Sequence, residues 1–271
     1  MLKQRVIAAA VLAPLGVALL LWGSSAMIAI AMGLIVVGGM REWARFAGLG
    51  KTGQWVSALV VAALVAGLWW WRTPERLVLV ATIGVAFWLL AALWLSQFEF
   101  ARARTPANTA LKLLAGLMVM LPATAGALSL RETAPLGEWW LLLAVVLIWV
   151  ADSGAYFAGV RFGKNKLAPQ ISPGKSWEGV GGAVVAVSLL AVAAGWLLGL
   201  RDQPLFGLVL VAIVTLAFSI VGDLFESLMK RHAGMKDSGT LIPGHGGVLD
   251  RFDSLFAALP VFALGRQLLG A

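Results

Sequence analysis

Two polar stretches hold nearly all the side chains of this chain that can do chemistry. In WVADSGAYFAGVRFGKNKLAPQISPGKSWEG, residues 149–179, Asp152 and Tyr156 stand four apart at the end of an apolar run. That spacing puts them on one helical face and a carboxylate near a membrane surface, where it is either a functional group or a snorkelling, helix-ending aspartate. Ser172-Pro173-Gly174-Lys175-Ser176 follows, with two hydroxyls, backbone N–H groups and a lysine running into a helix that starts near Trp177. Such a turn can cradle a phosphate or be a plain turn. It is not a Walker loop, since Pro169 stands where that pattern needs glycine and no buried strand precedes it. Arg161, Lys164 and Lys166 read as basic anchors at the membrane surface.

The second stretch begins after Gly222. Asp223, Glu226 and Lys230 fall on one helical face; Glu226 and Lys230 read as a surface ion pair, and Asp223, directly after an apolar run, as a ligand. Asp250 and Asp253 are three apart at the start of the last apolar run, where helix capping competes with metal binding. Between these pairs lies PGHGG, residues 243–247, whose glycines let backbone N–H groups approach an anion and whose His245 is placed for phosphate contact or proton transfer. His232 reads as a solvated neighbour of Arg231. Carboxylates for hard cations beside lysines and glycine-rich backbone for phosphates suggest magnesium-assisted phosphoryl or nucleotidyl transfer; the ligand set disfavours zinc.

The elements that must position these groups are membrane helices. Of 271 residues, 61% are hydrophobic and 13% charged, and the mean hydropathy is +0.91. A helix crosses the hydrocarbon core in roughly 20 apolar residues. The expected fold class is all-α, a polytopic integral membrane protein with about nine transmembrane helices at 6–22, 24–40, 54–71, 76–95, 111–130, 139–158, 179–200, 204–222 and 252–269. The first run is read as a retained helix rather than a signal peptide. The first two runs meet at Gly23 and Ser24 and could instead form a re-entrant hairpin. Residues 1–138 read as scaffold and 139–271 as the catalytic region, with polar loops 152–178 and 223–251.

With the amino terminus inside and the carboxyl terminus outside, sixteen Lys and Arg residues fall on the cytoplasmic side and five outside. This topology accounts for most of the net charge of +8, so the charge does not imply nucleic acid binding. Trp69, Trp70, Trp71, Trp139 and Trp140, at predicted helix ends, read as an interfacial belt. No cysteine is present, which excludes disulfides and thiolate metal sites. A transporter would carry ionisable groups near the helix midpoints, and these runs are nearly free of charge.

The segment SLMKRHAGMKDSGTLIPGHGGVLDRFDS, residues 227–254, resembles the signature of bacterial phosphatidate cytidylyltransferases, the CDP-diacylglycerol synthases. Asp152, Tyr156, Gly159, Phe162-Gly163 and Ile171-Ser172-Pro173 also match family positions, whereas Gly174 stands where the family commonly has a second lysine. The matching motifs run from about 149 to 254. The resemblance implies a multi-pass inner-membrane enzyme with its site facing the cytoplasm, Mg2+-dependent and homodimeric, with CTP and phosphatidate as substrates. On this reading Asp223 and Asp250 are expected to hold the metal, with Asp253 and Asp152 as further candidates. Lys230 and His245 join them as catalytic candidates. Ser172, Lys175, Ser176, Arg231, Lys236, Gly246, Gly247, Arg251 and Asp152 are the expected substrate-binding positions. A CTP-dependent membrane lipid kinase is the alternative, separable because it would release CDP instead of pyrophosphate.

Overall fold

The structure is a computed structural model and describes residues 13–239 and 246–269. Among these the apolar runs form helices α1 (Ala13–Trp22), α2 (Ser25–Phe46), α3 (Lys51–Trp70), α4 (Pro74–Leu95), α5 (Pro106–Glu132), α6 (Gly137–Phe162), α7 (Trp177–Leu197), α8 (Asp202–Ala233) and α9 (Leu249–Leu268). Strands β1 (Lys166–Ala168) and β2 (Ser172–Ser176) pair antiparallel in a small hairpin between α6 and α7. Helices α2 to α8 are each long and apolar enough to cross a bilayer. The chain is therefore an all-α polytopic membrane protein with one short hairpin among its described residues.

Local chemistry sets the helix starts. Thr73 and Thr105 each precede a proline at the first helical position, and their hydroxyls accept from Arg76 N (3.4 Å) and Asn108 N (3.2 Å). Ser24 does the same for α2, accepting from Met27 N at 3.3 Å. Gly234, at φ +71°, ends α8 in the left-handed conformation that glycine tolerates, and Met235 N closes the turn onto Lys230 O at 2.8 Å.

Two helices run further than the sequence suggests. α6 continues past the expected end at 158 to Phe162, and α8 continues from the expected end at 222 to Ala233, carrying Asp223, Glu226 and Lys230 on the helix that their spacing suggested. At 1.5 Å per residue α8 is about 48 Å long, well beyond a bilayer core of about 30 Å. Its polar last turns, like those of α6, are thus rigid helix rather than loop.

The connections alternate between the two ends of the bundle. At one end, Thr109 Oγ1 donates to Ala47 O (3.0 Å), Arg45 Nη1 to Ser238 O (3.0 Å) and Arg231 Nε to Ile171 O (3.1 Å). His232 belongs to the same end, but it is buried, with Nε2 2.6 Å from Phe98 O, and is not the solvated residue expected. At the other end Arg131 Nη2 donates to Gly23 O (2.7 Å) and Arg72 Nε to Glu132 Oε1 (2.7 Å).

The core beneath the first end is aromatic. Trp43, Trp88 and Phe225 are fully buried and pack with Phe87 and Trp94, ring centroids 5.3 to 6.0 Å apart. Such edge contacts add about 0.5–1.5 kcal/mol per pair beyond area burial. They fix the helices that carry Glu42, Asp223 and Glu226, the sequence neighbours of Trp43 and Phe225. Trp70 and Trp71 are exposed at a helix end as expected of a belt, but Trp140 is buried against Phe262 in the core.

Candidate active site

A cleft of about 220 Å³ lies between α6, α7, α8 and the hairpin, lined by Asp152, Tyr156, Gly174, Lys175, Ser176, Ser219, Asp223 and Ser254. Three anchors carry the hairpin into place. Trp177 N donates to Asn165 O at 2.9 Å, Glu178 accepts from Asn165 N and Nδ2 (3.1 and 2.8 Å), and Arg231 of α8 holds Ile171 O. Lys175 on β2 then reaches across and forms an ion pair with Asp223 Oδ2 of α8. Asp152 and Tyr156 line the cleft from the face of α6 that their spacing predicts.

Beside the cleft α8 meets α9 very closely. A Cβ placed on Gly222 would lie 2.7 Å from Asp253 O and 2.8 Å from Ala257 Cβ, so only glycine permits this approach. The contact brings Asp223 and Asp253 within each other's electrostatic field, and Glu226 within that of Asp253 and Asp250. Lys230 sits among them, its Nζ 2.8 Å from both Glu226 Oε2 and Asp250 Oδ1.

Asp250 is held on both oxygens. Oδ2 accepts from Ser238 N (2.9 Å) and Gly247 N (2.8 Å) and lies 2.9 Å from Ser238 Oγ, while Oδ1 meets Lys230. It lies in the first turn of α9, ahead of that helix's apolar part. Burial pushes its carboxyl up, but the Lys230 ammonium and the N–H groups of Gly247 and Ser238 outweigh burial and hold it below the ordinary aspartate value.

Five carboxylates, Asp152, Asp223, Glu226, Asp250 and Asp253, thus gather around two lysines. That surplus of oxygen ligands and negative charge fits a hard divalent cation, which takes one or two carboxylates and fills its shell with water and phosphate. Among the described residues no three acidic or histidine side chains already enclose a metal position.

The remaining expected residues take varied places. Ser176 lines the cleft and caps α7, its hydroxyl accepting from Gly179 N at 3.2 Å. Ser172 sits opposite Ala168 in the hairpin ladder. Arg231 is engaged with Ile171 O, and Lys236 is exposed beyond the end of α8. Gly246 has φ +85°, and the Gly247 N–H is spent on Asp250. Arg251 lines an apolar groove of about 420 Å³ with Phe252 and Leu255, on the face of α9 turned away from Ser254. His245 lies outside the described residues.

Two further readings, both within the acidic cluster, need correction. Glu226 is not in a surface pair; it is buried with Lys230. Asp253 is not a helix cap, because α9 begins at Leu249 and Asp253 stands inside it, its Oδ1 2.6 Å from Ser254 N.

The amino-terminal half contributes a residue that the spacing did not flag. Glu42, buried at the end of α2, accepts from Val248 N (3.0 Å), Leu249 N (2.9 Å) and Ser238 Oγ (2.8 Å). Its signal was faint: one glutamate in REWAR, residues 41–45, closing an apolar run, which reads equally as a charged helix end.

The chain is 42% identical over 264 residues to a phosphatidate cytidylyltransferase of Pseudomonas aeruginosa, covering 97% of this chain and 96% of that one. It is 38% identical over 285 residues to the enzyme of the same name from Haemophilus influenzae, covering 97% and 98%. A phosphatidate cytidylyltransferase of Bacillus subtilis matches at 42% identity over 133 residues, 49% of each chain. The sequence model of the Cytidylyltransferase family matches residues 3–269, and the chain belongs to that family of nucleotidyltransferases.

Proposed function

We propose that this chain transfers the cytidylyl group of CTP to phosphatidate, giving CDP-diacylglycerol and pyrophosphate at the cytoplasmic face of the inner membrane. The observation that carries the reading is Lys175 of the hairpin paired with Asp223 of α8 across a cleft, beside a second lysine bound to Asp250. Two cations and a set of acids from separate elements converge where a membrane bundle meets its polar loops, the place where a lipid phosphate and a soluble nucleotide can come together. The predominance of Lys and Arg on this side of the chain supports the orientation.

A phosphate oxygen of phosphatidate attacks the α-phosphorus of CTP. The new bond is oxygen to α-phosphorus, the bond to the bridging oxygen of the β-phosphate breaks, and pyrophosphate leaves with that electron pair. The lipid phosphate is already an anion, so no serine or cysteine nucleophile and no deprotonation are required. Asp223 and Asp250 would hold Mg2+, whose chemistry is to screen the triphosphate and polarise the phosphorus under attack. Lys175, released from Asp223 when the nucleotide enters, binds triphosphate oxygens, and Lys230 keeps Asp250 ionised and oriented. Asp152 and Tyr156 bound the cleft on the α6 side.

The test is to supply the purified protein with phosphatidate, CTP and Mg2+ and identify the products. CDP-diacylglycerol with stoichiometric pyrophosphate is expected. Release of CDP with a newly phosphorylated lipid, or no nucleotide turnover, overturns the reading.

A further inference from the structure

α9 begins without a cap of its own. Val248, at its N-cap position, offers no side-chain acceptor, so the first N–H groups of the helix must find one elsewhere. They find Glu42, 206 positions earlier, which takes Val248 N on Oε1 and Leu249 N on Oε2. A buried carboxylate at a helix N-terminus is stabilised both by these hydrogen bonds and by the helix dipole. The same Oε2 accepts from Ser238 Oγ, and Arg45, one turn further along α2, donates to Ser238 O at 3.0 Å.

α2 therefore grips the polar connection at both of its described ends, at Ser238 and at Val248. Ser238 is completely buried and is the link to the reaction centre, because its N–H and hydroxyl both face Asp250 Oδ2 at 2.9 Å. Glu42 itself does not line the cleft. All three of its partners are donors, so the position calls for an acceptor on both oxygens. A glutamine would set its own N–H2 against a donor, and an aspartate would fall one methylene short.

We propose that Glu42 is a positioning residue for the reaction: it fixes Ser238 and the start of α9, and through them the Asp250 carboxylate, with Oδ1 turned toward Lys230. This rests on the reading that Asp250 belongs to the reaction centre. Partners that orient a metal ligand typically contribute about 10–100-fold to metal affinity or activity.

The test uses the full chain purified in detergent, as wild type, Glu42→Gln, Ser238→Ala and Asp250→Asn. Two quantities are read: Mn2+ affinity of the resting protein by electron paramagnetic resonance, and pyrophosphate release with kcat and the KM for CTP resolved. The expected result for Glu42→Gln is a loss of about 10–100-fold in Mn2+ affinity and in kcat, with the CTP KM within about twofold of wild type. Ser238→Ala leaves the Val248 and Leu249 caps intact and shows the same pattern more weakly. A Glu42→Gln, Ser238→Ala double variant is no worse than Glu42→Gln, since the two act in series.

Wild-type Mn2+ affinity and kcat in both single variants, even with a lowered thermal midpoint, reduces Glu42 to a structural staple and overturns the proposal. If Glu42→Gln fails to fold, Ser238→Ala decides by the same two quantities. Asp250→Asn separates the levels: if it keeps wild-type turnover and Mn2+ affinity, the reading of the site itself falls, and if it loses both while Glu42→Gln does not, only the present inference falls.

Discussion

Lys230 and Asp250 meet across the α8–α9 contact, Nζ 2.8 Å from Oδ1, with side chains only 12% and 10% exposed. The same ammonium serves Glu226, whose side chain is 3% exposed, so one cation neutralises carboxylates from two helices. Removing it strands two buried charges. Lys230→Met should destabilise the protein by about 3–5 kcal/mol, the usual cost of breaking one side of a buried pair. Thermal unfolding in detergent checks this, and adding Glu226→Gln to Lys230→Met should recover part of the loss. A Lys230→Met protein as stable as wild type would show that the pair is not shielded from water.

Lys175 is placed to leave Asp223 for the triphosphate. Lys175→Met should lower kcat for pyrophosphate release by about 10²–10³-fold, the scale for losing one charge-stabilising group, while the protein keeps its elution volume and thermal midpoint. Because Lys175 is partly exposed in its pair, the change in stability should stay below about 1 kcal/mol. Turnover within threefold of wild type would remove Lys175 from the site.

Gly222 sets the spacing of the acidic cluster. Its missing Cβ is what lets α8 lie against Asp253 O and Ala257 Cβ. Gly222→Ala must push the two helices apart, at a cost of about 1–3 kcal/mol, and should reduce turnover because Asp223 moves with the backbone. A variant with unchanged midpoint and rate would mean that the interface relaxes freely there.

The pH dependence of stability should carry the mark of Asp250. Its folded carboxyl titrates below the ordinary aspartate range, held there by Lys230 and the N–H groups of Gly247 and Ser238 against the opposing effect of burial. The stabilisation it provides is therefore complete above the unfolded value and is lost only as pH falls through the lower folded one. The difference in thermal midpoint between wild type and Asp250→Asn should stay constant from neutral pH down to about 5 and shrink below about 4. A difference that began to close near pH 7 would contradict the hydrogen bonds from Ser238 and Gly247.

Composition and residue spacing alone set the class of the molecule and the kind of chemistry it carries. Runs of about twenty apolar residues can only be satisfied as membrane helices, and the residue types in 149–179 and 222–254 already called for anion and cation binding. Asp152 with Tyr156 on one face of α6 was legible because i, i+4 spacing is a local property. Other features were not local. α6 runs on to Phe162 and α8 to Ala233 because these polar turns are packed against the hairpin, and hydropathy marks only where lipid ends, not where a helix ends. Likewise, burial of Glu226, His232 and Trp140 was decided by which neighbours the bundle brought to them. The hold of Glu42 on Ser238 spans 196 residues, and no periodicity records it. A hydrogen bond depends on distance in space, and only the packing of α2 against α8 and α9 set that distance.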